Sequence, residues 1–459
     1  MSSKLVIKQY HRVFRYSQWM RSHFTFLGNL LLIIFLMSGV FGVDTAATTT
    51  YQLFVFLLVI FCFAVLNSLF IHLKISVTRQ LPRYFTQGES SQYTIKLKNL
   101  SEHCYKNLVL SEQLKEYSTE PRELDDWYQA SSQLWYKKNI SFNQWREYFI
   151  HKRGGIIAKM QVPDLPEKKY NKTVRVNVNF IPYRRGKLCF KGFKIAHPDL
   201  LGLFMKLLFI ADKQSCLVLP RRYSMASLAL AGSKKYQAGG VSLANSVGAS
   251  SEFMSLREYR EGDPLNSLHW KSFARHGKLI VKEYQDEYFS RRALLLDTFI
   301  DALPATGNQS SAENRRRHDY FEAAISVAAS VCMSEQQNEA LLDLMFVGKQ
   351  THRFTSGRGI DHMPHIQEVL ASVQTSTGTF EQLKKAIINH IHVCSSVICV
   401  LMSWNKERQA LIHLLQAHDI PLAVFLVHDG SVMLDDLIDR PKHLYLINHH
   451  NIAADLEAV

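Results

Sequence analysis

Residues 251–284 read SEFMSLREYREGDPLNSLHWKSFARHGKLIVKEY, and the rest of the chain is organised around them. Arg257, Glu258, Arg260, Glu261, Asp263, Lys271, Arg275, Lys278, Lys282 and Glu283 are interleaved with Tyr259, Trp270, Phe273 and Tyr284. A solvated helix needs neither so many charges of both signs nor so many rings. Asp263-Pro264 predicts a helix start, because the carboxylate can accept from an orphan amide and Pro at the first helical position gives up no hydrogen bond. Gly277 predicts the stop, since glycine readily takes the left-handed conformation that closes a helix. The expected helix covers 264–276, and Leu279, Ile280 and Val281 then begin a strand.

The chain has 459 residues, too many for one core, and its 47% apolar content is that of a folded protein. A net charge of +14 suits nucleic acid or an anionic membrane surface. Much of the excess lies near the amino-terminal apolar segments, which favours lipid. Cys62, Cys332, Cys394 and Cys399 fall inside apolar runs and no C-x-x-C pair occurs, the pattern of reduced, packed thiols.

Residues 1–74 comprise a basic leader and two apolar stretches, 24–43 and 51–71, each near the ~20 residues that cross a bilayer as a helix. Lys4, Lys8, Arg12, Arg15 and Arg21 precede the first stretch and Lys74, Arg79 and Arg83 follow the second. The intervening 44–50 has no Lys or Arg, so the positive-inside rule predicts a transmembrane hairpin with both termini cytoplasmic. Residues 75–223 alternate apolar with polar at Ile75 and Val77, at Tyr93, Ile95 and Leu97, and at Val174, Val176 and Val178, which predicts a β-sandwich-like domain. Within it, 120–172 reads as an insertion, a lid or a partner surface. Residues 224–250 are rich in Ala, Gly and Ser and read as a mobile loop; with the signature they form a segment 224–290. In 291–459, strands at 293–296, 341–347, 397–402 and 422–427 alternate with helices at 319–333, 362–373, 380–389 and 407–417. That alternation predicts a parallel sheet with helices on both faces.

Glu252, Arg257, Tyr259, Gly262-Asp263, His269-Trp270, Arg275 and Lys282 together resemble the signature of the bacterial domain of unknown function 58 family. Asn266 replaces a residue that is often basic there, and His269 one that is often aliphatic. Arg185-Gly186 and the run HPDLLGLF at 197–204 look like two further family segments, the second altered from DPFGLF. The resemblance implies a membrane-anchored protein of the bacterial inner membrane, with a von Willebrand factor A-like α/β domain at its carboxyl end and a MoxR-type AAA+ ATPase as partner. It implies no reaction.

An A-like domain can hold Mg²⁺ through D-x-S-x-S, hard oxygens suited to octahedral ligation. Here the run is Asp297-Thr298-Phe299-Ile300-Asp301, with both serines lost. Asp297 and Asp301 are the candidate ligands, Thr351 or Thr355 a distant third, and the competing role for Asp297 is to cap the following turn. His362 with His365, and His449 with His450, lack the Cys or carboxylate partners of a zinc site. Glu258, Glu261 and Asp263 could serve as acid and base, but the flanking Arg257, Arg260 and Lys271 would hold them ionised in pairs. The leading expectation is a non-enzymatic docking and assembly protein without a cofactor. A cation-dependent binding protein using Asp297, and a hydrolase using the signature carboxylates, are the alternatives.

Overall fold

The computed structural model describes residues 12–13, 16–17, 19–20, 22–41, 48–115, 154–157, 160–170, 172–226, 228, 235–236, 242–289, 291–299, 311–335, 341–348, 350–356, 363–376, 378–429 and 440–459. Lys4, Lys8, Arg15, Arg21, Asp301, His362 and most of the 120–172 insertion lie outside them. The chain divides into two compact units, one ending at Leu219 and the other beginning at Pro220.

The first unit opens with helices α1 (Phe26–Phe41) and α2 (Thr48–Phe70). Among the described residues, α2 alone is long and apolar enough to cross a membrane. The 16 residues of α1 make it shorter than the 24–43 stretch suggests. At ~1.5 Å per residue it falls short of a ~30 Å hydrocarbon core. The expected pair of equivalent spans is therefore one full-length helix and one shorter companion.

Strands β1 (Ile75–Gln80), β2 (Tyr84–Thr86), β3 (Ser91–Asn99), β4 (Val109–Leu114), β5 (Gly155–Ile157), β6 (Met160–Gln161), β7 (Thr173–Pro182), β8 (Gly186–Pro198) and β9 (Met205–Leu219) follow. They form two sheets, β1-β3-β7-β5 and β2-β9-β8-β4-β6. The period-2 pattern puts Tyr93, Ile95 and Leu97 of β3 and Val178 and Phe180 of β7 into one core with Leu110, Phe193 and Ile195 of the second sheet. A fully buried ion pair lies inside this unit. Arg79 Nε donates to Glu112 Oε1 at 3.0 Å, and its guanidinium carbon stands 4.4 Å from the ring centres of both Phe190 and Phe193.

The second unit begins with β10 (Lys235–Tyr236), β11 (Ser242–Glu258), helix α3 (Trp270–His276) and β12 (Ile280–Phe289), the strands forming an antiparallel sheet β10-β12-β11. Residues 242–250, expected as loop, are thus the first half of a strand. Next come β13 (Arg291–Leu296), α4 (Ser311–Glu335), β14 (Leu341–Val347), β15 (Thr351–Ser356), α5 (Met363–Ser372), α6 (Phe380–Ile388), β16 (Ser396–Leu401), α7 (Lys406–Ala417), β17 (Leu422–His428), β18 (Leu444–Asn448) and α8 (Ile452–Glu457). The sheet order is β15-β14-β13-β16-β17-β18, with β15 antiparallel and the other pairings parallel. Alternation in β13 turns Leu294 and Leu296 toward α4, and Ala293 and Leu295 toward α6 and α7. Helices cover both faces, as the run of apolar strands requires. Sequence periodicity missed β15 and β18: β15 is an edge strand of mixed polarity, and β18 is only partly buried.

Candidate functional site

The signature forms a finger on the β11–β12 ladder. Antiparallel pairing sets Ser255 opposite Glu283, Leu256 opposite Lys282 and Arg257 opposite Val281. Glu283 accepts from Ser255 Oγ and from Arg257 Nε, both at 2.6 Å. The other side of the same guanidinium grips Asp263, Nη1 to Oδ2 and Nη2 to Oδ1 at 2.6 Å each. Arg260 N adds a third donor to Asp263 at 2.8 Å. Arg257 is therefore a two-sided clamp, joining the strand pair to the turn beyond it. Its hydrogen bonds hold the Asp263 carboxyl down at about 2, with Arg257 the larger cause and the Arg260 amide the next. Ser255 and then Arg257 pull Glu283 below the usual carboxylate range against a cost of desolvation. The two acids raise Arg257 above its ordinary value, Asp263 most of all.

This clamp changes the local helix. Pro264 is extended, with ψ 129°, and only a single 3-10 turn, Leu265–Ser267, follows it. The Asp263 side chain is engaged by Arg257 and Arg260, while Leu268 bridges Val281 and His269 N donates to Ile280 O at 2.8 Å. The α-helix therefore starts at Trp270 and not at Pro264. Gly277 ends it in the left-handed conformation, φ 65°, as expected. Gly262, φ 101°, makes the tight return into Asp263.

The remaining signature residues divide by role. Tyr259 N donates to Leu279 O at 2.9 Å, and the His269 ring meets Ser272 Oγ at 2.6 Å. Arg275 lies in the last turn of α3, where positive charge suits the carbonyl end. Lys282 holds its register opposite Leu256, and Glu252 contributes backbone to β11. Glu258 pairs with Lys278 at 3.0 Å in the open, a contact of little energetic weight. Leu268 and Val281 are buried beneath the finger, but Trp270 is 63% exposed and Leu265 68%. Leu256, Phe273 and Leu279 are exposed as well, Phe273 with its ring 6.2 Å from that of Trp270.

Asp297, the one candidate cation ligand of the pair that lies among the described residues, is engaged by a guanidinium. Asp297, fully buried at the end of β13, receives Arg408 Nε on Oδ2 and Arg408 Nη2 on Oδ1, each at 3.1 Å. Phe299 N donates to Oδ1 at 3.0 Å, the turn-capping role that competed with metal binding. Arg408 also lies 4.2 Å above the Phe380 ring. A guanidinium thus supplies at Asp297 the positive charge that a cation would bring in the alternative reading. Thr351 and Thr355 belong to the edge strand β15, and Thr355 gives its hydroxyl to Asp343.

Asp343 centres a second buried cluster that periodicity did not reveal. Arg291 Nε and His390 Nε2 both approach its Oδ2 at 2.6 Å, and Arg353 Nη1 lies 3.1 Å from His390 Nδ1. Asp343, His390 and Cys394 stand within 4.8 Å of one another, a metal-ligand spacing. Both carboxylate oxygens are nonetheless engaged by protein donors, and Arg291 and Arg353 crowd the same space with positive charge. Burial pushes the Asp343 carboxyl up, but Arg291, Thr355 and His390 together hold it below its ordinary value. The sequence signal was an acid within the apolar run LLDLMFV. The exposed His365 faces Glu368 at 3.7 Å, and His449 stacks on Tyr320 with ring centres 4.8 Å apart.

Residues 255–414 match the family described as "Protein of unknown function DUF58". Over this region the chain is similar to the DUF58 family. The DUF58 region begins at Ser255, the first residue of the clamp, and ends within α7. It takes in Arg257, Asp263, Asp297, Asp343, His390 and Arg408. The chain is also similar to "Uncharacterized protein YeaD" of Bacillus subtilis (strain 168), 29% identical over 223 residues, which are 48% of this chain and 50% of that protein. It therefore spans about half the length of this relative. A cohesin module from a Clostridium perfringens family 33 glycoside hydrolase aligns over 32% of this chain and 98% of its own, at 5% identity and a TM-score of 0.16. A Vibrio harveyi GH20 exo beta-N-acetylglucosaminidase aligns over 78% and 57%, at 9% identity and a TM-score of 0.12. Neither score supports an argument about the DUF58 fold.

Proposed function

We propose that this DUF58 protein is a non-enzymatic docking and assembly module held at the bacterial inner membrane, with its soluble units in the cytoplasm. The observation that carries this reading is the finger: Trp270 and Leu265 project into solvent from a scaffold that the Arg257 clamp holds rigid. Exposed aromatic anchors on a preorganised support are what a protein interface uses. The signature carboxylates are better suited to this than to hydrolysis, since Asp263 and Glu283 are spent on Arg257 and Glu258 on Lys278. A strand order with one antiparallel edge and helices on both faces supports a von Willebrand factor A-like reading of the second unit. Its ligand would be bound without the Asp297 cation. The family resemblance nominates a MoxR-type AAA+ ATPase as partner, and α2 supports the anchor.

The test is co-purification of the full chain with that ATPase from membranes. Trp270→Ala and Leu265→Ala should abolish it without changing the fold, while an exposed substitution in the sandwich, Gln92→Ala, should not. Retention of the ATPase by both finger variants would overturn the docking surface.

A further inference from the structure

We infer that the turn at residues 199–204, between β8 and β9, is a membrane-inserted contact whose partner is the hydrocarbon of the bilayer beside α1 and α2. The inference rests on reading α2 as a membrane span. The turn is built onto the helices. Thr25 N donates to Leu203 O at 3.1 Å, and Thr25 Oγ1 to Gly202 O at 2.6 Å. The backbone passes so close to α1 that a Cβ on Gly28 would stand 2.2 Å from Leu203 O. Phe204 enters a ladder of rings, 4.8 Å from Phe24 and 5.9 Å from Phe61, which in turn stands 5.6 Å from Phe35.

The position of Phe61 gives the depth. It precedes the end of α2, Phe70, by nine residues. At ~1.5 Å per residue Phe204 therefore meets α2 about 13 Å in from that end, well within a hydrocarbon core of ~30 Å. Polar backbone is tolerated at such depth only if it is bonded internally. The turn meets that condition at its tightest point: Asp199 Oδ1 accepts from Leu203 N at 2.7 Å and Phe204 N at 2.9 Å, and Gly202 N donates to Asp199 O at 3.0 Å. Asp199, the one charged residue of 198–205, is itself buried. What the turn presents outward is apolar, with Leu200 77% and Leu201 40% exposed. Lipid is the occupant that matches both this depth and the absence of any outward charge.

The experiment places the photoreactive residue p-benzoylphenylalanine singly at Leu200, at Val59 on the exposed flank of α2 and at Gln92 on the outer face of the sandwich, in the full chain in native membranes. Crosslinked phospholipid is then measured. The expected result is lipid attached from 200 and 59 and none from 92. Attachment from 59 without 200 overturns the inference and leaves the anchor standing. Attachment from none of the three overturns the anchor, and the inference with it. Equal attachment from 200 and 92 overturns the assignment of the contact to this turn.

Discussion

Arg408 meets Asp297 in a bidentate pair, Nε to Oδ2 and Nη2 to Oδ1 at 3.1 Å, with both side chains almost wholly removed from solvent. The strand-end acid that would mark a cation site is thereby tied to the first turn of α7. Removing one partner of such a pair leaves a buried charge without compensation, which costs far more than the intact pair contributes.

Arg408→Met is therefore expected to destabilise the second unit by about 3–5 kcal/mol. Hydrogen exchange of the amides in β13 and β16 measures the loss, and unchanged protection would contradict the buried pair. Calorimetric titration of the unaltered protein with Mg²⁺ should give no heat that Asp297→Asn removes; a heat lost in that variant would restore the cation reading.

The finger should be sensitive to acid in a defined window. Asp263 titrates at about 2 in the folded protein, against an ordinary aspartate value near ~3.9. A depressed carboxyl contributes its stability above the unfolded value and loses it as pH falls through the folded one. Protection of the Arg260 amide should therefore hold at pH 5 and above and decline between roughly pH 4 and pH 2. Asp263→Asn should show the weakened state at neutral pH, and equal protection in the two proteins would refute the clamp.

Gly277 isolates a conformational cost. A Cβ there would meet no atom within 4 Å, so the penalty of Gly277→Ala comes from the positive φ alone. It should loosen the end of α3 by about 1–2 kcal/mol, with Gly277→Asn milder because Asn tolerates this conformation. Exchange rates of the Gly277 amide, which donates to Phe273 O at 2.9 Å, report it.

Gly28 is the opposite case, a steric one. Gly28→Val should push α1 from the 199–204 turn, because the nearest obstacle is a backbone oxygen that cannot rotate away. A photoreactive group at Phe204 should then attach to α2 peptides much less than in the parent protein. Equal attachment would show that the turn follows the helix.

Much of the architecture was legible from neighbouring residues alone. The alternation of Tyr93, Ile95 and Leu97 is a property of any strand with one dry face, and the buried runs ending at Leu296 and Leu401 mark strands covered on both sides. The signature was legible too, as a dense mixture of charge and rings, and so was its closing Gly277. Its internal pairing was not. Asp263 fitted a helix start as well as an arginine clamp, and only the register that aligns Ser255 with Glu283 brings Arg257 between the two acids.

The sequence by itself determined where chain must be buried, where it must turn and which segment could cross a lipid layer, because those follow from hydrophobic periodicity and backbone freedom within a few residues. The tertiary structure decided which charges meet. Arg408 reaches Asp297 across 111 positions, and Thr25 reaches Gly202 across 177. No local pattern encodes such a partner. It is chosen when parallel strands close and a distant helix or turn is carried against them, so the electrostatic identity of each buried acid is a consequence of long-range packing.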